Sequence, residues 1–127
     1  MKYHFEKPSP LVIVTMRLRH YDKEVDVEVA LDTGAVTTMI NSSIAQYLGC
    51  DPGGSLEKRR IVTASGIEWC SLVHLDKVTA CGKSLEKLEV ICHDLPPATT
   101  IRGLLGENFL RWFEVRINYK ERWVELC

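Results

Sequence analysis

Apolar residues fall at every second position from Val25 through Val27 and Val29 to Leu31, with Asp26 and Glu28 between them. A period of two marks a strand with one buried face. Residues 11–18 form a second apolar run, and Arg19-His20-Tyr21-Asp22-Lys23 joins the two. Residues 11–18 and 24–31 are therefore expected to pair as a hairpin. The same reading predicts a central hairpin from 57–63 and 67–75, with the small residues Ala64, Ser65 and Gly66 at its tip. It predicts a third hairpin from 73–80 and 84–91, and a last one from 113–118 and 122–126 around Tyr119-Lys120-Glu121. Val36-Thr37-Thr38-Met39-Ile40 reads as a short strand rich in β-branched residues.

Helical spacing is confined to two places. Ile40, Ile44 and Leu48 share one face, with Asn41 or Ser42 available as the cap and Gly49 as the stop. Phe109, Leu110 and Phe113 follow an apolar strand that ends at Gly106. Asp51-Pro52-Gly53-Gly54-Ser55 is expected as a loop. Asp94-Leu95-Pro96-Pro97 is expected as a connection, because paired prolines do not fit a central strand. The predicted class is mostly β with one or two short helices.

Composition narrows the picture. A chain of 127 residues holds one core but not two lobes. Its 16 Lys and Arg nearly cancel its 17 Asp and Glu, so no global field points to nucleic acid or membrane. No run approaches the ~20 apolar residues of a membrane span, and the N-terminus has no apolar signal core. Five cysteines, an odd number, argue for free thiols in a reducing compartment. A cytoplasmic location is the resulting expectation.

The candidate chemistry sits at the end of the strand with the clearest alternation. Ala30-Leu31 runs into Asp32-Thr33-Gly34-Ala35. A carboxylate at the end of a buried strand is costly unless donors surround it or chemistry uses it. Thr33 brings a hydroxyl beside it, and Gly34 permits close approach of backbone or substrate. An ordinary turn is the plain alternative, since Asp and Gly are turn residues. Ala30-Leu31-Asp32-Thr33-Gly34 and Gly103-Leu104-Leu105-Gly106 each bring an apolar strand to a glycine ahead of a helix.

Other groupings point elsewhere and more weakly. Cys70, His74, Cys81, Cys92 and His93 cluster in the second half, but no Cys-x-x-Cys pair exists and Cys92 and His93 would face opposite sides of a strand. Buried or half-buried thiols, and no metal, are the expectation there. Gly82-Lys83-Ser84 resembles the end of a phosphate-binding loop, but that loop needs a glycine where Lys77 stands, so a turn between strands is expected. Lys58, Arg59 and Arg60 read as a solvated edge strand guarded by charge, with attraction of acidic substrate residues as the alternative. Trp69, Trp112 and Trp123 lie in apolar-periodic stretches and are expected in the core or an interface rather than a substrate pocket.

Asp32-Thr33-Gly34-Ala35, the tip Ala64-Ser65-Gly66, and Leu104-Leu105-Gly106 ahead of a short helix occur in that order in retropepsin-like aspartic proteases. Over about residues 11–126 the chain resembles a single-domain, cellular member of that superfamily. The resemblance implies a closed retropepsin-like acid-protease β-barrel over 11–127, with 1–10 as an N-terminal extension, assembling as a two-fold dimer. Such enzymes use two carboxylates sharing one proton, and this chain has one Asp-Thr-Gly. A second copy of the chain would supply the other aspartate.

The resemblance further implies that Asp32 is catalytic, that Thr33 bonds across the interface, and that Gly34 offers its carbonyl to a peptide or protein substrate. Ala64, Ser65 and Gly66 would form a flap, and Leu104, Leu105 and Gly106 would support the catalytic loop. No cofactor is implied. Ala35 stands where many acid-acting relatives carry a serine, which implies activity at mildly acidic to near-neutral pH. A non-proteolytic dimer of the same fold, binding peptides or only assembling, is the competing reading. A small-ligand-binding barrel with a coincidental motif is a third.

Overall fold

We describe the chain from a computed structural model, over residues 1–6, 11–54 and 57–127. Residues 7–10 of the expected N-terminal extension and Ser55 of the expected loop lie outside the described residues. The elements run β1 (Lys2–His4), β2 (Ile13–His20), β3 (Lys23–Leu31), β4 (Thr38–Ile40), α1 (Ser42–Tyr47), β5 (Lys58–Thr63), β6 (Gly66–Ala80), β7 (Lys83–Cys92), β8 (Gly103–Leu105), α2 (Glu107–Leu110), β9 (Val115–Asn118) and β10 (Trp123–Leu126). A single 3-10 turn, Pro52–Gly54, separates α1 from β5.

Six strands close into a barrel in the order β2-β3-β8-β4-β7-β6, because β6 pairs back onto β2. Closure removes two sheet edges that would otherwise be exposed. The alternation read from the sequence does the work: Val27 and Val29 of β3 and Val14, Met16 and Leu18 of β2 all face the interior and are buried. Phe109 and Leu105 fill the barrel from the other side, both fully buried. β5 lies outside the ring and pairs only with the first part of β6.

β6 is one strand of 15 residues where the sequence suggested two overlapping arms. Its first part, from Gly66 to Ser71, pairs with β5, and its second part, from Ser71 to Ala80, pairs with β7. The change of partner is a tertiary event, which alternation along one strand does not signal.

The chain ends form a second sheet, β1-β10-β9. Lys2–His4, within the segment read as an extension, is a strand of that sheet and pairs with β10. β10 is paired on both sides, and its Val124 and Leu126 are buried in this chain's own core. The Lys2 ammonium lies 4.3 Å from the centre of the Trp123 ring. These terminal residues are used within the chain.

α1 begins and ends where expected, with a different cap. Asn41 occupies the cap position, but its side-chain oxygen accepts from the Leu95 amide at 3.2 Å. Asp94 serves the helix instead, accepting from the Ser42 amide at 2.7 Å. Gly49, at φ 89°, closes the helix in the left-handed conformation that glycine adopts freely.

Candidate active site

Asp32 stands where β3 leaves the barrel wall. Its amide donates to the Leu105 carbonyl at 3.0 Å, which ties it to β8. Its side-chain Oδ1 accepts from the Gly34 amide at 2.8 Å, and the Ala35 amide donates to the Asp32 carbonyl at 3.2 Å. The two bonds make a tight turn that fixes the carboxyl group by its own backbone. Asp32 is half-buried, while Thr33 and Gly34 are exposed. Val36 beside them is 71% exposed.

A second segment holds this turn from behind. β8 runs parallel to β3 and antiparallel to β4, so it is clamped between the strand before the turn and the strand after it. Gly106 makes this approach possible. A Cβ there would stand 2.7 Å from Thr37 C, 2.8 Å from Thr38 N and 2.9 Å from the Ala35 carbonyl oxygen. The clamp is polar as well. The Gly106 amide donates to Thr38 Oγ1 at 3.1 Å, and the Thr38 amide and hydroxyl both donate to Asn108 Oδ1 at 2.8 Å. Asn108 Nδ2 then donates to the Glu89 carbonyl at 2.8 Å. The first amides of α2, from Glu107 and Asn108, donate to the carbonyls of Ala35 and Val36 at 2.7 and 3.1 Å. Donors left over at a helix start are thus spent on the turn that carries Asp32.

Beside the turn lies a cleft of about 530 Å³. Gly34, Ala35 and Val36 line it from the turn, and Ile61 and Val62 line it from the β5–β6 arm. Leu104 also lines the cleft, whereas Leu105 is fully buried behind it. Ala64, Ser65 and Gly66 are exposed at the end of the arm. Gly66 has φ 125°, the positive value that lets a short hairpin loop rejoin its strand. Trp69 and Trp112 are each 68% exposed, so neither belongs to the core of a single chain.

Arg59 has a role that the charge run concealed. Its Nη1 donates to Glu89 Oε2 at 2.8 Å and to Thr37 Oγ1 at 3.4 Å. One guanidinium therefore links the arm to β7 and to the strand after the Asp32 turn. Lys58, by contrast, donates to Ser71 Oγ at 2.8 Å.

The cysteine and histidine grouping separates in space. His74 Nε2 lies 3.6 Å from Glu89 Oε1. Burial pushes the thiols of Cys81 and Cys92 up to about 11, which leaves them inert as nucleophiles. Cys70 and His93 do come together, with Sγ 3.6 Å from Nδ1, and Glu68 joins them. Glu68 was not part of the sequence grouping.

The model of the gag-polyprotein putative aspartyl protease family matches residues 22–112, more than half of the chain. The chain belongs to that family. Among solved structures, a retropepsin-like aspartic protease from Rickettsia conorii is similar in fold, with a TM-score of 0.75 at 22% identity. The match covers 99% of this chain and 88% of that one. No curated protein matches the chain. The closed six-stranded barrel with two short helices is thus the retropepsin-like fold. For this aspartyl protease family member, family and fold together support a general protease function. Among the described residues no helix is long and apolar enough to cross a membrane.

Proposed function

We propose that the chain is an aspartic endopeptidase acting as a two-fold homodimer in the cytoplasm, where its five thiols stay reduced. The observation that carries the reading is the placement of Asp32. Its half-buried carboxyl group is fixed by the Gly34 amide, its neighbours Gly34, Ala35 and Val36 line a mostly apolar cleft, and the turn that carries it is backed by the Gly106 clamp. Exposed Thr33, Gly34 and Val36 around it support a second copy meeting this turn, since one chain brings one Asp-Thr-Gly.

With two Asp32 side chains face to face, like charges disfavour double ionisation and one proton is shared. The ionised carboxylate takes a proton from water as the oxygen attacks the peptide carbonyl carbon. The protonated one gives its proton to the carbonyl oxygen. Collapse of the tetrahedral intermediate breaks the C–N bond: the carboxyl group that took the water proton passes it to the departing nitrogen, and the other takes back the proton from the oxygen as the carbonyl re-forms. The Gly34 carbonyl and the arm ending in Ala64, Ser65 and Gly66 hold the substrate backbone on either side.

Asp32→Asn tests the reading. Asparagine is nearly isosteric but cannot act as base, so cleavage of a mixed peptide library should fall by about 10³-fold or more while the fold is kept. Sedimentation of the same two proteins should show a dimer for both. Undiminished cleavage by Asp32→Asn, or a strict monomer that still cleaves, would remove the proposed site. A wild-type dimer without cleavage would favour the binding or assembly reading.

A further inference from the structure

We propose that Glu68, Cys70 and His93 form a binding site for one divalent cation of the zinc class, with His93 at the wall of the cleft. Their meeting follows from strand geometry. Glu68 and Cys70 are two residues apart on β6 and share a face. The register pairs Ser71 with Cys92, so the next residue, His93, falls opposite Cys70. One ligand atom from each of the three residues lies within 4.8 Å of the others.

The distances suit a tetrahedral ion. With metal–sulfur near 2.3 Å and metal–nitrogen near 2.0–2.1 Å, the sulfur–nitrogen edge of such a site is about 3.6 Å. Cys70 Sγ and His93 Nδ1 are 3.6 Å apart. An ion takes only one imidazole nitrogen, so Nδ1 is the ligand and Glu68 must close in from the far side. The Glu68 carboxylate now lies 3.6 Å from His93 Nε2, with a side chain 45% exposed and free to change rotamer.

The donor set also fits in kind. A thiolate, a neutral imidazole and a carboxylate balance a divalent charge, and sulfur with nitrogen favours zinc over calcium or magnesium. Three protein ligands leave a fourth position open, and His93 lines the cleft. The same three residues could be read as a nucleophile with its base. That reading fails on Cys70, which is buried and whose thiol is pushed up by burial, opposite to what an attacking sulfur needs. A bound ion would tie the β5–β6 arm to the end of β7. On the protease reading, and resting on it, occupancy would slow the arm and lower turnover, reversibly on chelation.

The test needs no cleavage assay. Cobalt(II), a spectroscopic stand-in for zinc, is titrated into the reduced full chain. One equivalent is expected to bind saturably with a thiolate-to-cobalt charge-transfer band, and zinc should displace it. Cys70→Ser should abolish the band. Glu68→Gln, at an exposed position that leaves the fold alone, should weaken binding at least about tenfold, as should His93→Gln, since losing even an outer partner of a metal site costs that much. Absence of a saturable band in the wild type would overturn the proposal. So would a band that persists in Cys70→Ser, which would assign it to another thiol such as the exposed Cys127. So would unchanged affinity in Glu68→Gln.

Discussion

The turn that carries Asp32 and the β5–β6 arm face each other across one cleft and are built on opposite terms. The turn is held from behind. Its backbone is bonded to β8 and α2, and Gly106 touches it so closely that no Cβ fits between them. The arm is a two-stranded hairpin standing off the barrel, with Val62, Ile67 and Trp69 all more than half exposed. β6 contains both regimes in one strand. Gly66, Ile67, Glu68 and Trp69 are exposed, and buried residues begin at Cys70. On the proposed dimer, a carboxylate that meets its twin would need a fixed position, and an arm that admits a peptide would need freedom. The contrast places dense backbone bonding behind Asp32 and an exposed hairpin across the cleft from it.

Gly106→Ala attacks the rigid side most directly. The new methyl group would meet backbone atoms of residues 35, 37 and 38 at 2.7–2.9 Å. Backbone cannot rotate away as a side chain does. Stability should fall by about 3 kcal/mol or more, read from urea unfolding, and the variant fails to fold if the loss exceeds the total. A loss under about 0.5 kcal/mol would mean the two segments are not truly clamped.

Asn108→Ala should come next. It removes the acceptor for the Thr38 amide and hydroxyl and the donor to the Glu89 carbonyl. Buried groups left unpaired cost about 1–3 kcal/mol each, and water reaching part of the site reduces the sum. A loss of about 2 kcal/mol is expected. If Asn108→Ala instead unfolded like an arm substitution, with almost no cost, the polar half of the clamp would be dispensable.

The two regions were not equally legible in the sequence. Asp32-Thr33-Gly34 stood out because alternation from Val25 to Leu31 ran straight into it. Gly106 could be placed because an apolar strand ended there ahead of Phe109 and Leu110. Both are local signals. Arg59 was hidden in a run of three cations, because its partners Thr37 and Glu89 are 22 and 30 residues away. Asp94 as the cap of α1 was hidden for the same reason, since it lies 52 residues from Ser42. Trp123 was read as core or interface because a linear pattern cannot tell a chain's own core from a partner's. Glu68 escaped the metal-ligand grouping because an exposed carboxylate carries no signal until register sets it beside Cys70 and His93.

Arg59→Ala probes the join between the regions. The Arg59–Glu89 pair is about 40% exposed on both sides, which limits its worth to under about 1 kcal/mol. Global stability should barely change. Amide exchange in 58–69 should nonetheless rise several-fold, because the tie of the arm to β7 and Thr37 is gone. Unchanged exchange would show that the arm is held by something other than this guanidinium.

Trp69→Ser should have the smallest effect. Removing a tryptophan from a core costs about 3–5 kcal/mol, whereas an exposed substitution stays within about 0.5 kcal/mol. Trp69 pairs with Arg60 across the hairpin and is 68% exposed, so the second figure applies to the isolated chain. Urea unfolding at low protein concentration, where a weak dimer dissociates, should find wild type and variant alike. The measurement repeated at high concentration sharpens the contrast. If a second copy covers the outer face of the arm, the midpoint of wild type rises with concentration and that of Trp69→Ser rises less. If both rise equally, the copies meet at the Asp32 turn and leave the arm uncovered. A large loss already at low concentration would place Trp69 in the chain's own packing and erase the difference between arm and turn.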